Sequence, residues 1–383
     1  MDIVAELTPS APLLAVQHAA RTLRVGGWAR LTGVGTCTDV IAAEPMMADG
    51  DALFPRGFPR GSLLAMTGQR LASLGLAANV DGTYLLPLSR SDAAPGRMAT
   101  LADPTAPADA ALDILALATV TERLDAWAAV ELCKLAGLLP AAILVPGEKP
   151  EAQIAPVSLA AVSAYRRLAA ATLRPVSEAR VPLADAEDVR IVSFRPADGG
   201  PDQYAILVGT PERQAAPLAR LHSECFTGDL LGSLRCDCGD QLRGAIRRMA
   251  HDGGGVLLYL AQEGRGIGLT NKLRAYMLQD SGLDTVEANH HLGFGSDERD
   301  FSAAAEMLRQ LGIESVRLLT NNPAKIDQLD RYGIEVVGRE PHVFGANVHN
   351  RRYLLTKAER SGHMLAVEEL QPTGSGATRL PAI

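Results

Sequence analysis

The 383-residue chain is long enough for two or three domains, and its composition, 47% hydrophobic and 21% charged, is that of an ordinary soluble globular protein. A formal net charge of −7 argues against nonspecific binding to nucleic acid or to a membrane surface. The five cysteines lack the spacing of a disulfide framework, and the longest apolar run, Leu135–Pro146, is too short to span a bilayer. The acidic N-terminal stretch does not resemble a signal peptide, so these features together predict a cytoplasmic protein.

The first half of the chain is rich in alanine and leucine and has few histidines. Its stretch 93–112, with repeated Pro, Gly and Asp, predicts a surface loop. The stretch 158–173 predicts a helix, and Pro175 prevents its continuation. The change in composition near this helix end predicts a domain boundary. The expected divisions are a first domain of residues 1–172, a second of residues 173–370 and a flexible tail of residues 371–383.

The second half alternates between predicted strands and helices. Two strands around a Gly/Pro turn are predicted within 193–209, and a helix is predicted over 240–253. Further strands are predicted at Gly255–Leu260, 315–320 and 334–338, and further helices at 271–282, 300–312 and 323–332. This alternation predicts an α/β fold, with α+β as the alternative.

Three cysteines, Cys225, Cys236 and Cys238, lie within fourteen residues, whereas the other two are far away in the sequence. Thiolates are good zinc ligands, and His222, three residues before Cys225, is a candidate fourth ligand. The pattern leaves two hypotheses open: a catalytic zinc with three protein ligands and a water, or a structural zinc closed by His222. A nucleobase deaminase site is disfavoured, because its P-C-x-x-C segment is absent.

The segment Glu263–Tyr276 contains three glycines and three basic residues at a predicted turn from a strand to a helix. Backbone N–H groups at a helix start, with glycines that allow close approach, suit an anion. The spacing fits neither a Walker A loop nor a G-x-G-x-x-G loop. Taken alone, the segment is equally well explained as an ordinary glycine-rich turn.

Two further segments place charged residues near predicted helix starts. Asp297 and Arg299 are two residues apart at a predicted helix start. Capping of that helix is the simplest explanation for the pair. Lys325 follows a strand that ends at Thr320 and lies in the first turn of a helix that begins at Pro323. A positive charge there opposes the helix dipole, so a bound phosphate explains Lys325 better than helix stability does.

Together, the segments 220–242, 262–280, 284–301 and 318–326 closely resemble GTP cyclohydrolase II, in that family's order and spacing. The resemblance extends from about Val176 to Leu365 and implies a second domain with a mixed sheet and helices. It implies an enzyme that opens the guanine imidazole ring of GTP and releases formate and pyrophosphate. The product would be 2,5-diamino-6-ribosylamino-4(3H)-pyrimidinone 5′-phosphate, formed in the first step of riboflavin biosynthesis.

The same resemblance implies roles for the cysteines and for the Asp/Arg pair. Cys225, Cys236 and Cys238 match the family's zinc ligands, which favours the open, catalytic site with one zinc per chain. Arg299 matches a residue that attacks the α-phosphate, with Asp297 as the proton acceptor beside it. A purely electrostatic role for Arg299, as a clamp on the phosphate, stays open.

The remaining implications concern the nucleotide and the assembly. Tyr276 matches a tyrosine near the reacting ring. The positions that match GTP contacts are Arg220, Leu221, His222, Ser223, Glu224, Gln241, Glu263, Gly264, Arg265, Thr285, Thr320 and Lys325. Mg²⁺ is expected with the GTP phosphates, and the family implies a homodimer that binds neither nucleic acid nor membrane.

The first half resembles, more faintly, 3,4-dihydroxy-2-butanone 4-phosphate synthase, which many bacteria fuse in front of the cyclohydrolase. The resemblance rests on the segments 66–76, 100–106, 128–144 and 162–182. The acidic metal-binding loop of that family is missing here, and Asp125 and Trp127 replace a histidine and a glutamate. We therefore expect a degenerate, inactive domain. The alternatives are a bifunctional riboflavin enzyme and a non-catalytic GTP-binding protein with a structural zinc.

Overall fold

A computed structural model describes residues 11–33, 36–76, 79–93, 95–106, 119–121, 123–146 and 156–344. The chain forms two compact units, and it passes between them more than once. The first unit contains Met1–Leu173, Arg195–Pro201 and Gln262–Asp300, and the second contains Arg174–Phe194, Asp202–Ala261 and Phe301–Ile383. Within the described ranges, no helix has the length and apolar character needed to cross a membrane.

The strands and helices of the described chain are numbered in chain order. The strands are β1 (Ala29–Gly33), β2 (Thr36–Ala42), β3 (Leu63–Thr67), β4 (Thr83–Pro87), β5 (Thr119–Thr121), β6 (Ala141–Val145), β7 (Pro156–Ser158), β8 (Arg174–Arg180), β9 (Val189–Arg195), β10 (Gln203–Val208), β11 (Leu218–Ser223), β12 (Gly255–Leu260), β13 (Ser315–Leu319) and β14 (Glu335–Glu340). The helices are α1 (Ala11–Arg24), α2 (Ala43–Leu53), α3 (Gly68–Ser73), α4 (Pro95–Ala102), α5 (Leu124–Leu135), α6 (Leu159–Ala171), α7 (Cys238–His251), α8 (Leu269–Asp280), α9 (Thr285–His291), α10 (Ser302–Gln310) and α11 (Pro323–Arg331).

A seven-stranded sheet with the order β5-β4-β3-β6-β2-β1-β7 forms the centre of the first unit. Its strands are antiparallel except for β1 and β7, which are parallel. Successive residues of a strand point to opposite faces of the sheet. Accordingly, Val40 and Ala42 pack in one apolar core with α1, α5 and α6, and Ile41 packs in another with residues of α2 and α4. Helices therefore cover both faces of this sheet.

The segment Gln262–Asp300 packs on the N-terminal part of the first unit. Leu139 is fully buried in an apolar cluster with residues of this segment, among them Leu292 and Phe294. Arg274 of α8 forms an ion pair with Glu44 of α2, with 2.8 Å between Nη2 and Oε1. Further hydrogen bonds join Thr67 Oγ1 to the Gly293 carbonyl (2.8 Å) and Asn271 Nδ2 to the Gly137 carbonyl (3.3 Å).

The second unit contains the other seven-stranded sheet, with the order β14-β13-β11-β12-β10-β9-β8. The strands β11, β12, β13 and β14 are parallel to their neighbours in this group, whereas β10 is antiparallel to both β12 and β9. The carboxyl ends of the parallel strands therefore lie at one edge of the sheet, the usual location of ligand sites in α/β proteins.

The predicted fold class, an α/β protein with mixed sheets, is confirmed. The predicted strand Gly255–Leu260 coincides with β12, and the helix predicted to begin at Pro323 is α11. The predicted surface loop over 93–112 is wrong in part, because Pro95–Ala102 forms α4 and buries Met98 and Leu101 in the core. Proline suits the first helical position, since its missing N–H has no partner there. Residues 107–112 lie outside the described chain.

The predicted domain limits stay a prediction. The first long stretch of the first unit ends at Leu173, next to the predicted limit, but Gln262–Asp300, placed in the second domain from sequence, packs in the first unit. The predicted tail, residues 371–383, and the end of the predicted second domain lie outside the described residues.

Replacing Leu139 with Ala should destabilise the protein, because the truncation leaves a cavity between α5 and the Gln262–Asp300 segment. We expect a loss of about 2–5 kcal/mol in the free energy of unfolding. The matched control is Leu14→Ala on α1, where the side chain is 44% exposed and the expected loss is within about 0.5 kcal/mol. Urea unfolding measures both, and equal small losses would show that the packing of Leu139 is unimportant.

Candidate active site

The three cysteines of the predicted metal site lie together in the second unit. Their sulfur atoms are all within 4.8 Å of one another, and the Sγ atoms of Cys225 and Cys236 are 3.7 Å apart. Cys225 follows β11, and Cys238 is the first residue of α7. A compact group of thiol ligands fits zinc, which binds thiolates in close tetrahedral sites.

A single π-helical turn, Phe226–Leu230, shapes the chain around a glycine in this cluster. The N–H of Gly228 donates a hydrogen bond to Cys225 Sγ at 3.2 Å. A Cβ atom on Gly228 would lie 2.7 Å from Cys236 Sγ and 3.0 Å from Cys225 Sγ, so a side chain there would displace the sulfur atoms. Hydrogen bonding with Cys225 raises the pKa of Cys236 to about 11, so a cation is needed to favour the thiolate form.

His222, the candidate fourth ligand, is directed at a carboxylate. Its Nε2 lies 3.1 Å from Asp229 Oδ2, and its ring stacks on Tyr259 with 5.6 Å between the ring centroids. Burial lowers the pKa of His222 even though Asp229 opposes that effect. Across the described residues, the only group with metal-binding geometry consists of the three cysteines and contains no histidine.

Asp229 is a functional candidate that the sequence analysis did not single out. Besides its contact with His222, its Oδ2 accepts hydrogen bonds from the Cys225 N–H and from the Tyr259 hydroxyl, each at 3.0 Å. Burial and the Asp229 carboxylate raise the pKa of Tyr259, so the phenol stays protonated and donates. Asp229 therefore connects the first cysteine to His222. An acidic residue in the otherwise mostly apolar segment 226–231 was the available sequence signal.

Buried cationic groups lie at the carboxyl ends of β11 and β13. Arg220 donates from Nη1 to the Leu319 carbonyl at 2.8 Å and from Nη2 to Oε1 of Gln241 on α7. Lys325, in the first turn of α11, donates from Nζ to the Leu221 carbonyl at 2.7 Å. Two buried positive charges at this edge of the sheet suit an anionic ligand better than they suit the helix or the core.

Three more of the residues predicted to contact the nucleotide, Ser223, Glu224 and Thr320, lie at the same strand ends. The Oγ of Ser223 is buried and has no hydrogen-bond partner within the described structure. The Oγ1 of Thr320 accepts a hydrogen bond from the Asn322 N–H at 3.0 Å, and the Glu224 N–H donates to the Leu260 carbonyl at 2.8 Å. Because buried polar groups are normally paired, the Ser223 hydroxyl is a group that a bound ligand would satisfy.

His342 belongs to the same region, although the sequence analysis gave it no role. Its Nε2 lies 2.8 Å from the Gln241 carbonyl oxygen, and its ring meets that of Phe344 edge-on at 4.8 Å between centroids. Burial and the neighbouring Arg220 lower the pKa of His342 to about 4. The imidazole is therefore neutral at neutral pH. His349, in the same C-terminal stretch of the sequence, lies outside the described residues.

The glycine-rich segment lies in the first unit and begins with a 3₁₀ turn, Glu263–Gly266. Gly264 and Arg265 both adopt the left-handed conformation, with φ of 63° and 62°. Arg265 is the only non-glycine residue of the described chain with a positive φ. Glu263 is buried and pairs with Lys272 at 2.7 Å. Strain of this kind is concentrated at functional sites, which favours the anion-binding hypothesis over an ordinary turn.

Asp297 and Arg299 form a bidentate pair in a loop of the first unit. Arg299 Nε donates to Asp297 Oδ1 at 2.7 Å, and Nη2 donates to Oδ2. Burial works against ionisation of Asp297, but the hydrogen bonds and charge of Arg299 outweigh it and lower the pKa. The capping explanation for this pair is wrong, because α10 begins at Ser302 and Phe301 is its N-cap residue.

Tyr276 and Thr285 lie on neighbouring helices of the first unit. Tyr276 is on α8, with Lys272 Nζ 5.8 Å from its ring centroid. Thr285 is the first residue of α9, where Asp284 is the N-cap and Glu287 completes a capping box. The helix cap fixes the position of Thr285 at the start of α9.

The structure thus groups the predicted residues in two sets, one in each unit. The second unit contains Arg220, Leu221, His222, Ser223, Glu224, Cys225, Cys236, Cys238, Gln241, Thr320 and Lys325. The first contains Glu263, Gly264, Arg265, Tyr276, Thr285, Asp297 and Arg299. A cluster of three cysteines that could hold a metal, in the same unit as buried cations at a sheet edge, is typical of an α/β enzyme that acts on an anionic substrate.

Comparison with known proteins identifies the family. The GTP cyclohydrolase II family profile matches residues 174–341. The chain is 49% identical to GTP cyclohydrolase-2 of Azospirillum brasilense over 365 residues, which cover 92% of this chain and 94% of that protein. It is 52% identical to GTP cyclohydrolase-2 of Shigella boydii serotype 18 over 193 residues, which cover 50% of this chain and 98% of that protein.

Solved structures give a weaker likeness. A two-domain 3,4-dihydroxy-2-butanone 4-phosphate synthase from A. baumannii is 16% identical, covers 86% of this chain and 99% of its own, and has a TM-score of 0.31. A similarity at that score does not bear on the first half of the chain. The relative from Azospirillum brasilense, in contrast, is similar over nearly the whole chain.

The chain belongs to the GTP cyclohydrolase II family, and it is therefore a hydrolase of riboflavin biosynthesis. The family recognition made from the sequence motifs is confirmed. The roles of the individual residues remain predictions.

Replacing Gly228 with Ala should disrupt the cysteine cluster, because the new Cβ would lie 2.7 Å from Cys236 Sγ. We expect bound zinc to fall well below that of the wild type while the far-ultraviolet circular dichroism is unchanged. Gly96→Ala is the matched control, since a Cβ there meets no atom within 4 Å. Metal analysis by mass spectrometry measures the effect, and full zinc content in Gly228→Ala would contradict this reading of the cluster.

Proposed function

We propose that this chain opens the imidazole ring of GTP with a zinc ion held by Cys225, Cys236 and Cys238. Formate and pyrophosphate leave, and the product is 2,5-diamino-6-ribosylamino-4(3H)-pyrimidinone 5′-phosphate. The observation that carries the proposal is the grouping of three sulfur atoms within 4.8 Å, while His222 faces Asp229. Three protein ligands leave a position for water, as catalytic zinc sites do, whereas a structural zinc would need a fourth ligand.

The metal supplies a water molecule of lowered pKa, which hydrolysis at neutral pH requires. The protein contributes a rigid ligand loop. Gly228 holds Cys225 Sγ through its N–H, and Asp229 holds the backbone of the same cysteine. Both contacts hold Cys225, so the first of the three proposed ligands is positioned by the protein itself.

Nucleotide binding is assigned to the carboxyl ends of β11 and β13. The buried charges of Arg220 and Lys325 suit the phosphates of GTP, and Mg²⁺ bound to those phosphates would reduce their remaining charge. The buried Ser223 hydroxyl supplies a hydrogen-bonding group that the folded chain leaves for a ligand. In the first unit, the strained loop of Gly264 and Arg265 offers backbone N–H groups of the kind that bind anions.

For Arg299, the geometry favours a clamp on the α-phosphate over a nucleophile. Its guanidinium makes two hydrogen bonds to the Asp297 carboxylate, whose lowered pKa keeps it ionised at neutral pH. Such a pair stabilises the charged guanidinium, and a nucleophile would first have to lose a proton. A charged Arg299 would bind the phosphate as negative charge develops during cleavage.

The first half of the chain is proposed to be inactive as a 3,4-dihydroxy-2-butanone 4-phosphate synthase. Asp125, which replaces a histidine, is already bound by Arg123 Nη2 and by Thr38 Oγ1, each at 2.7 Å. Burial would raise the pKa of Asp125, but these two partners outweigh it and lower the pKa. A carboxylate committed to these partners is a poor base and a poor metal ligand. The bifunctional alternative is therefore disfavoured.

We also propose that the chain forms a homodimer and is located in the cytoplasm. Four large apolar side chains in the metal-binding loop are exposed, and Leu230 and Leu231 are the most exposed of them, at 71% and 64%. The other two are Phe226 and Leu234. Clustered apolar exposure marks interaction surfaces, and a second copy of the chain is the proposed partner. All five cysteines are free, which suits a reducing compartment.

The proposed reaction is tested by incubating the purified chain with GTP, Zn²⁺ and Mg²⁺ and measuring formate, pyrophosphate and the pyrimidine product. We expect all three from the wild type. Arg299→Ala should lower turnover by about 100-fold or more, the order of effect when a donor to a developing charge is removed. Its melting temperature and zinc content should match the wild type. Normal pyrophosphate release by Arg299→Ala would rule out both roles considered for this residue.

Zinc content separates the catalytic from the structural hypothesis. Cys236→Ser should lose most of the roughly one zinc per chain, because a three-ligand site has no spare ligand. His222→Gln should keep the zinc, since His222 is bound to Asp229. Metal analysis and melting temperature are measured for both variants side by side. Loss of zinc from both, with both destabilised, would favour a structural zinc closed by His222.

A further inference from the structure

Glu298, in the middle of the Asp297–Arg299 turn, is held at three points. Its N–H donates to the Arg265 carbonyl at 3.0 Å, and its Oε1 accepts a hydrogen bond from the Gly295 N–H at 2.7 Å. The same oxygen lies 2.8 Å from the Nζ of Lys134. The turn that carries the Asp/Arg pair is therefore fixed through its central residue.

Lys134 comes from the last turn of α5, a helix whose residues are mostly buried in the core. Its Nζ lies between the carboxylates of Glu131, at 3.2 Å, and Glu298. The side chains of Lys134 and Glu298 are only 13% and 15% exposed, so solvent screens the pair weakly. Burial would lower the pKa of Lys134 and raise that of Glu298. The carboxylates of Glu131 and Glu298 reverse the first shift, and the charge of Lys134 reverses the second. Both groups are therefore charged at neutral pH.

The strained glycine-rich loop packs directly against the same turn. A Cβ on Gly266 would lie 2.8 Å from the Glu298 carbonyl oxygen, and Arg265 donates from Nη1 to the Ser296 carbonyl at 3.2 Å. The loop and the turn are therefore in direct contact. A loss of order at Glu298 would affect Arg265 as well as Arg299.

The family profile does not extend to Lys134. The Shigella boydii protein is matched over 98% of its own length but 50% of this chain, and the family profile begins at residue 174. The contact therefore joins Lys134, outside the profile, to Glu298, inside it.

We infer that Lys134 is a positioning residue for the Asp297–Arg299 pair and acts through Glu298. Lys134 neutralises the Glu298 carboxylate and anchors it to the core. Without Lys134, the Glu298 carboxylate would lose the ion pair that ties the turn to α5. The inference rests on the proposed function, because it concerns a residue that handles the phosphate of the substrate.

The test uses the full chain with Lys134→Met, which removes the charge but keeps an unbranched side chain. We expect kcat for pyrophosphate release from GTP to fall by at least about 10-fold, within the ~100-fold that a 1 Å misplacement can cost. Zinc content should stay within about twofold of the wild type, since the ligand cysteines are not altered. KM for GTP should change by a smaller factor than kcat, because the strand ends that hold the phosphates are intact. Lys134→Arg should recover most of the rate.

Glu131→Gln is the matched control, because it removes the other partner of Lys134 and leaves the contact with Glu298. Its kcat should be near that of the wild type. If Lys134→Met has a normal kcat, or if Lys134→Arg is as slow as Lys134→Met, the positioning role is wrong. A fall in kcat that is matched by Glu131→Gln would point to general destabilisation of α5 instead.

Amide hydrogen exchange separates failure of this inference from failure of the proposed function. In Lys134→Met, the amides of Gly295 and Glu298 should exchange at least about 10-fold faster, because their bonded turn opens locally. The Gly228 amide, in the second unit, should be unchanged. If the wild type releases no formate from GTP, the proposed function fails, and the exchange result alone still decides whether Lys134 orders the turn. Unchanged exchange at Gly295 and Glu298 would overturn the inference.

Discussion

The attachment of Gln262–Asp300 to the N-terminal residues is the constraint on which half of the proposed site depends. Leu139 packs against apolar residues of this segment. Ion pairs of Glu44 with Arg274 and of Lys134 with Glu298 add polar contacts. These contacts join a segment with family motifs to the N-terminal half of the chain. The first half therefore holds this segment in place, as a scaffold would.

The metal-binding loop depends on close approach within the second unit. Gly228 is needed because any side chain would displace the sulfur atoms, and Asp229 holds both Cys225 and His222. The carboxylate that accepts from the Cys225 N–H also pairs with the imidazole of His222. One acidic residue therefore contacts both Cys225 and His222. The three cysteines are the zinc ligands that we propose, a set that leaves a position for water.

Much of the second unit could be predicted from the sequence, because its patterns are local. The run Gly255–Leu260 is uniformly apolar and bounded by turns. In the first unit, a local signal of the same kind is Ser158, which caps α6 by accepting from the Ala161 N–H at 3.1 Å. The close spacing of Cys236 and Cys238 likewise placed their thiols together. Such features depend on neighbours in the chain, and neighbours are what a single sequence shows.

The remaining features depend on contacts between distant residues. The stretch 93–112 was predicted as a loop from its prolines and glycine. Pro95–Ala102 nevertheless forms a helix, because Met98 and Leu101 are buried in the core. The packing of Gln262–Asp300 on residues more than a hundred positions earlier has no local signal. The contact between His222 and Asp229 also follows from the folded geometry. The sequence spacing alone allowed His222 to be a metal ligand.

The central claim, that Lys134 acts on Arg299 through Glu298, is tested most directly by a double-mutant cycle on kcat for pyrophosphate release. The cycle compares the wild type with Lys134→Met, Glu298→Gln and the double variant. If Lys134 acts only through Glu298, adding Lys134→Met to Glu298→Gln causes no further loss, and the double variant is no slower than the slower single variant. If the two losses multiply instead, the residues act independently, and the account of the N-terminal half as the scaffold of the catalytic turn is contradicted.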